Sequence, residues 1–314
     1  MMAKRAKSEA ERQPALFEFE KLELRNRVST ASAADSNAER PYDRHPRIFL
    51  GTSAFTAAGW PGTFYPKGMK PAGYLKYYAS QFKTVEIDST FYGTPKATTV
   101  ENWYEKTPGD FVFALKVPQV ITHEKVLVKC EAELHEFLTT MSLLREKRGP
   151  MLLQFPKFDK WAFRNSAEFL ERLRGFLKRV SEMGKDCRMV VEIRNPSWLD
   201  ARFTEVLREH NAAVALTDTS FMPRPWEWEE KLDLVTADFA YVRWLGNRKG
   251  IEEETKTWEK TVVDRRDDLK NWVEIFRSLT GNAKVLKIFA FANNHYAGHG
   301  PGTAKLFWEL WEKK

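Results

Sequence analysis

The 314-residue chain holds two cysteines, Cys130 and Cys187, far apart and without a CxxC or metal-ligand spacing. Such usage argues against a disulfide framework and for reduced thiols in a cytoplasmic protein. Long apolar runs are missing too. No stretch reaches the about 18 consecutive apolar residues of a membrane helix, so no membrane partner is expected. The opening "MMAKRAKSEAERQ" is charged from the start and lacks the apolar segment of a secretory signal. No glycine-rich dinucleotide fingerprint follows the first apolar run, which counts against the nucleotide-cofactor variant of the α/β class. There is no HExxH or HxH for a zinc hydrolase and no GxSxG elbow for a serine hydrolase. Zinc-finger spacing and dense Lys/Arg blocks are absent, so a dedicated DNA reader is not indicated. No cofactor is expected from any of these motifs.

What is present is ample core material: 43% hydrophobic residues, with 11 Trp and 22 Phe, beside 30% charged residues. The net charge of +7 is modest for this length. It is compatible with an ordinary lysine-rich surface and also helps to recruit anions.

Residues 1–46 differ from the rest. "EFEKLELRNR" has some helical character, but "VSTASAADSN" is small, polar and without periodicity. A disordered or weakly helical extension over 1–46 is expected, followed by one domain over 47–314. From "RIFLGTS" onward, short apolar runs at 47–51, 84–87, 112–116, 151–155, 189–194, 213–217, 239–244 and 285–290 read as strands. Amphipathic stretches such as "AGYLKYYASQF", "SAEFLERLRGFLKRV" and "RRDDLKNWVEIFRSL" separate most of them, with apolar residues three and four apart. Asp200 is placed to cap the helix that follows it. Eight strands alternating with helices over roughly 270 residues fit a TIM-like (β/α)8 barrel, with an open doubly wound sheet as the competing layout. The weakest links are "SFMPRPWEWEEKLDLVTAD" and "NRKGIEEETKTWEK", which are candidates for loops over a site.

The stretch "VVEIRNPSW", residues 190–198, places Glu192 and Arg194 inside an apolar, β-branched run. In a parallel strand one alternating set faces the helices and the other faces the barrel interior. Val191 and Ile193 suit the helix layer, which turns Glu192 and Arg194 inward. Glu86 and Asp88 in "TVEIDSTFY", Lys116 in "FALKVP", Gln154 in "LLQFP" and Arg243 in "YVRWLG" repeat the pattern. Each lies near the C-terminal end of its strand, where barrel enzymes assemble their sites. A single buried Glu–Arg pair can merely neutralise itself, but polar residues at five strand ends are costly space fillers and point to a cavity. The following loops add Thr52, Ser53 and Trp60, then Thr122 and His123, then Asp218, and finally Asn293 and Asn294 with His295 and His299.

Two carboxylates from different strands, Glu86 and Glu192, suit general acid–base work when one is held protonated. Lys116, Arg194 and Arg243 suit a phosphate or carboxylate, or developing negative charge. The expected partner is a small anionic molecule and the expected reaction a hydrolysis or lyase-type elimination. A glycosidase would find two carboxylates and aromatic platforms here, though three cations exceed what a neutral sugar needs. A divalent metal on His123, His295, His299 and Asp218 is a weaker alternative, because the spacing is not that of a known motif. Nucleic acid is the other open partner, with Trp60, Trp198, Trp226 and Trp244 available for stacking. A non-catalytic ligand-binding or interaction protein is a third.

Several strings together resemble the YecE-like family, known as domain of unknown function 72: "GTSAFTAAGWPGTFYPKGMKP", "YYASQFKTVEIDSTFY", "KVPQVITH", "GPMLLQFP", "VEIRNPSW", "TADFAYVRWLG" and "ANNHYAGHGP". They run in order over about residues 47–313. The resemblance implies a TIM-like barrel of eight strands. It further implies a polar pocket at Glu86, Thr90, Tyr92, Lys116, Thr122, His123, Gln154, Glu192, Arg194, Trp198, Asp218, Arg243, Asn293 and Asn294. This sequence departs from the family pattern with Asp88 where Asn is common, with Ala54-Phe55 for Gly-Trp, and with Asn195 for His.

Overall fold

The computed structural model describes residues 40–183, 187–228 and 232–313. The expected extension therefore lies outside the described residues up to position 39. Residues 40–46, assigned to that extension by sequence, pack on the domain instead. Tyr42 stacks on Phe82 at 4.2 Å, its carbonyl accepts from Trp308 Nε1 at 3.1 Å, and Arg40 forks onto Asp110. No periodic pattern marks such a segment, so only the tertiary contacts reveal it.

Eight parallel strands form a nearly closed barrel: β1 Ile48–Thr52, β2 Thr84–Ile87, β3 Val112–Lys116, β4 Arg148–Gln154, β5 Met189–Glu192, β6 Ala213–Thr219, β7 Phe239–Gly246 and β8 Lys287–Ala292. Ladders run in the order β1-β8-β7-β6-β5-β4-β3-β2. At the remaining seam, between β1 and β2, a side chain replaces the ladder. The buried Tyr78 hydroxyl donates to Thr84 O (3.2 Å) and accepts from Thr52 N (2.9 Å). Gly51 permits this approach: a Cβ there would lie 2.2 Å from the Thr84 carbonyl oxygen.

The helices are α1 Tyr74–Gln81, α2 Ala97–Glu105, α3 Glu131–Met141, α4 Ser166–Met183, α5 Ala201–Glu209, α6 Pro225–Trp228, α7 Arg248–Glu254, α8 Arg266–Gly281, α9 Asn294–Ala297 and α10 Gly300–Trp311. The longer ones follow the periodic stretches because their apolar stripes cover the strands' outward faces. Asp200 caps α5, its carboxylate accepting from Phe203 N at 3.0 Å. The two weak links behave differently from one another. In the first, α6 is a single turn; in the second, Asn247 caps the seven-residue α7 by accepting from Gly250 N. No helix among the described residues is long and apolar enough to cross a membrane.

The barrel interior is filled from the bottom by Phe49, Phe239 and Phe289, then by Tyr241 and Phe291 beside Ala114, Leu152, Val190, Ala213 and Ala215. Large rings beside smaller side chains suit the interior of an eight-stranded barrel. This plug closes one end and leaves the polar layer at the strands' C-terminal ends.

Candidate functional site

Arg243, at the centre of that layer, points inward from β7 and is buried. Its guanidinium forks onto Glu86, with Nε 2.9 Å from Oε2 and Nη2 2.7 Å from Oε1. Nη1 donates to Glu192 Oε2 at 2.6 Å, and Nη2 reaches Asp88 Oδ1 at 3.4 Å. Tyr241 OH donates to Glu86 Oε2 at 2.6 Å, and Arg194 Nε and Nη2 both lie 3.2 Å from Glu192 Oε1. Three carboxylates thus meet three cations, counting Lys116, whose Nζ lies 4.0 Å from Asp88 Oδ1. Charges buried this deeply survive only with such pairing.

The protonation states follow from the geometry. Burial favours the neutral form of Glu192, but Arg243 and Arg194 outweigh it and hold this carboxyl below its usual range. Burial and then Glu86 hold the Tyr241 phenol protonated. Asp88 differs: burial, then the neighbouring Glu86 charge, push it up to about 6, against Arg243 and Lys116. It sits deep in the mouth, yet 35% of its side-chain surface opens to the cavity. His123 is held down to about 4 by burial and by Lys116 and Arg194, so its imidazole is neutral at physiological pH.

Above this layer lies a cavity of about 880 Å³. It lies at the C-terminal ends of the strands, as in barrel enzymes. Of the residues named from sequence, Asp88, Tyr92, Lys116, His123, Gln154, Arg194, Arg243, Asn293 and His295 line it. Glu86 and Glu192 do not line it; both are buried and engaged by Arg243. Thr90 and Thr122 shape the rim: the Thr90 hydroxyl lies 2.6 Å from Lys116 O, and that of Thr122 lies 2.9 Å from His123 Nδ1.

The other expected residues lie outside the cavity lining. Thr52 faces Tyr78. Ser53 Oγ is buried without a hydrogen-bond partner among the described residues. Trp60 Nε1 donates to Asn294 Oδ1, which also accepts from Gly300 N. Trp198 stacks on Phe158 at 5.6 Å. Asp218 lies one residue out of inward phase on β6 and faces α8, accepting from Trp272 Nε1 (3.0 Å) and Tyr296 OH (2.9 Å). Among the described residues no group of three His, Cys, Asp or Glu side chains is placed to hold a metal ion. His123, His295 and Asp218 have separate partners, and His299 stacks on Trp60.

Sequence reasoning missed several lining residues. Phe221, Lys157, Arg248 and Lys249 come from loops and the short α7, where no periodicity signals orientation.

An eight-stranded parallel barrel with a charged layer at the strands' C-terminal ends defines the class. Residues 49–314 match the family described as protein of unknown function DUF72, and the chain belongs to that family. It is similar to UPF0759 protein YunF of Bacillus subtilis (strain 168), at 27% identity over 278 residues, covering 84% of this chain and 94% of that protein. UPF0759 protein YecE of Escherichia coli (strain K12) is 42% identical over 82 residues, which span 26% of this chain and only 30% of that relative. A DUF72 family protein from Thermotoga maritima MSB8 superposes with a TM-score of 0.65 at 28% identity, covering 85% of this chain and all (100%) of that one. One from Enterococcus faecalis V583 gives 0.63 at 20% identity over 85% of this chain and 96% of that one, a likeness of fold.

Proposed function

We propose that the barrel mouth binds a small phosphate- or carboxylate-bearing molecule and that the protein is an enzyme of hydrolase or lyase type acting on it. The observation that carries this reading is the imbalance of the cavity wall. Among the described residues, Lys116, Lys157, Arg194, Arg243, Arg248 and Lys249 line it against a single carboxylate, Asp88. Such a concave, one-signed wall focuses an anion's approach. Arg194 and Lys116 supply the head-group contacts. Arg194 makes only 3.2 Å contacts to Glu192 and keeps 33% of its side chain exposed, and the Lys116–Asp88 pair is long at 4.0 Å. Both have donors to spare.

Glu86 and Glu192, read from sequence as the acid–base pair, act in this proposal as counter-charges that fix Arg243. Asp88 carries the proton, because it meets the cavity and changes protonation near neutral pH. No metal or cofactor enters the proposal. Nucleic acid is less favoured, since Trp60, Trp198 and Trp244 are buried in packing and the half-buried Trp226 packs edge-on against Trp272 outside the cavity wall.

The test is a thermal-shift screen of wild type and Arg194→Ala against phosphorylated and carboxylated metabolites, sugars and short oligonucleotides at two salt concentrations. A ligand at 100 times its dissociation constant adds about 2.7 kcal/mol of stability. Stabilisation by a small anion, lost in Arg194→Ala, is the expected result. Stabilisation by oligonucleotides alone, fading with salt, would replace this reading with nucleic-acid binding.

A further inference from the structure

The cavity of about 880 Å³ lies near the upper end of the range for drug-sized ligands and far exceeds a bare anion. Two of its walls are aromatic and solvent-exposed. Tyr92 is 79% exposed and Phe221 46%, while the exposed Trp161 and Leu286 lie outside the cavity wall. Scattered apolar surface residues need no explanation, but these two share one cavity.

Their positions are related by the barrel. Tyr92 ends the turn Asp88–Tyr92 after β2, and Phe221 follows β6. In the strand order, β2 and β6 stand four places apart in either direction, so the two loops rise from opposite sides of the mouth. A head-group cation stands near each ring, against Phe221 itself on one side and against Phe91, the neighbour of Tyr92, on the other. The Arg194 guanidinium lies 5.6 Å from the Phe221 ring centroid. Lys116 Nζ lies 4.1 Å from the Phe91 ring, which meets Tyr92 edge-on at 5.4 Å. Arg194 thus meets Phe221 directly, whereas Lys116 reaches Tyr92 only through Phe91.

We propose that the molecule bound here carries its anionic group on a flat aromatic or heteroaromatic ring. The ring lies between Tyr92 and Phe221, and the phosphate or carboxylate reaches Lys116 and Arg194. This rests on the anion-binding reading above and narrows it to aryl or nucleoside phosphates and the matching carboxylates. A short aliphatic acid would use the cations and leave the two rings idle. Stacking on an aromatic side chain suits any planar π-face.

The experiment is a set of calorimetric titrations with inorganic phosphate, phenyl phosphate and adenosine monophosphate, and with oligonucleotides of two lengths on wild type, all on the full chain. Wild type, Tyr92→Ala, Phe221→Ala and Arg194→Ala are compared, each with its melting curve recorded. Wild type should bind at least one ring-bearing phosphate about tenfold or more tighter than phosphate, and which of the two is preferred separates the aryl from the nucleoside source. Each aromatic truncation should remove most of that preference while inorganic phosphate affinity changes less than about twofold. Arg194→Ala should weaken all three ligands. Equal affinity for phosphate and both ring-bearing ligands in wild type would overturn the clamp while leaving the anion site intact. So would a Phe221→Ala variant that weakens phosphate as much as the ring ligands, because Phe221 would then merely hold Arg194. Affinity for oligonucleotides that exceeds both small ligands and grows with their length would also overturn it. If no phosphate bound and Arg194→Ala changed nothing, the anion-binding reading itself would fail.

Discussion

Replacing Arg243 with methionine tests the charge layer most directly. The substitution removes the donors that lie 2.6 to 2.9 Å from Glu86 and Glu192 and leaves both carboxylates buried. Glu192 keeps Arg194, and Glu86 keeps the Tyr241 hydroxyl. Removing one partner of a buried ion pair costs about 3 to 5 kcal/mol, chiefly from the charge left behind. At about 2 to 4 °C per kcal/mol for domains of this order of size, the melting temperature should fall by roughly 6 to 20 °C at neutral pH. The sign of the pH dependence sharpens the test. In wild type the depressed carboxyl of Glu192 contributes stability above its unfolded value of about 4.3, and this is lost as pH falls through its folded value. In the variant, burial acts on Glu192 without Arg243 and favours its protonated carboxyl, so its contribution is retained at low pH and lost as pH rises. The gap between the two proteins should therefore narrow on acidification to about pH 5. The triple variant Glu86→Gln, Glu192→Gln, Arg243→Met should melt above Arg243→Met alone, since no buried charge is then abandoned. Melting curves from differential scanning calorimetry suffice. An Arg243→Met protein melting within a degree or two of wild type, or one whose deficit widens on acidification, would refute the reasoning.

Asp88, pushed up to about 6, should make sulfate, whose own charge is constant in this range, bind more tightly as pH falls through that value, since protonation removes the one carboxylate charge of the cavity wall among the described residues. Asp88→Asn should bind more tightly at neutral pH and lose that step, and titrations at two pH values decide the matter. Glu192→Gln should lower the melting temperature; a variant with wild-type stability and no turnover of an identified substrate would return Glu192 to an acid–base role. Tyr78→Phe deprives Thr52 N and Thr84 O of their bridge at the β1–β2 seam, which should cost about 1 to 3 kcal/mol and speed amide exchange at Thr52. At the same seam, Gly51→Ala should cost at least as much, since its Cβ meets the Thr84 carbonyl.

The sequence by itself determined the barrel and the composition of its mouth. Strand length, helix period and the inward phase of Glu86, Lys116, Gln154, Glu192, Arg194 and Arg243 are local properties, because a strand's side chains alternate with a period of two. Those positions follow once each strand is recognised. Tertiary structure alone decided which of them face the cavity and which lie under Arg243, because inward phase gives a direction but not a depth along the barrel axis. It also decided the fate of Asp218, a polar residue at a strand end that turns to Trp272 and Tyr296 in the helix layer. Residue type alone does not distinguish a site carboxylate from one that satisfies a buried tryptophan. The loop contributors, Phe221, Arg248 and Lys249, were illegible for a related reason. Irregular segments have no repeating geometry to relate one side chain to the next, so only packing against the barrel rim orients them.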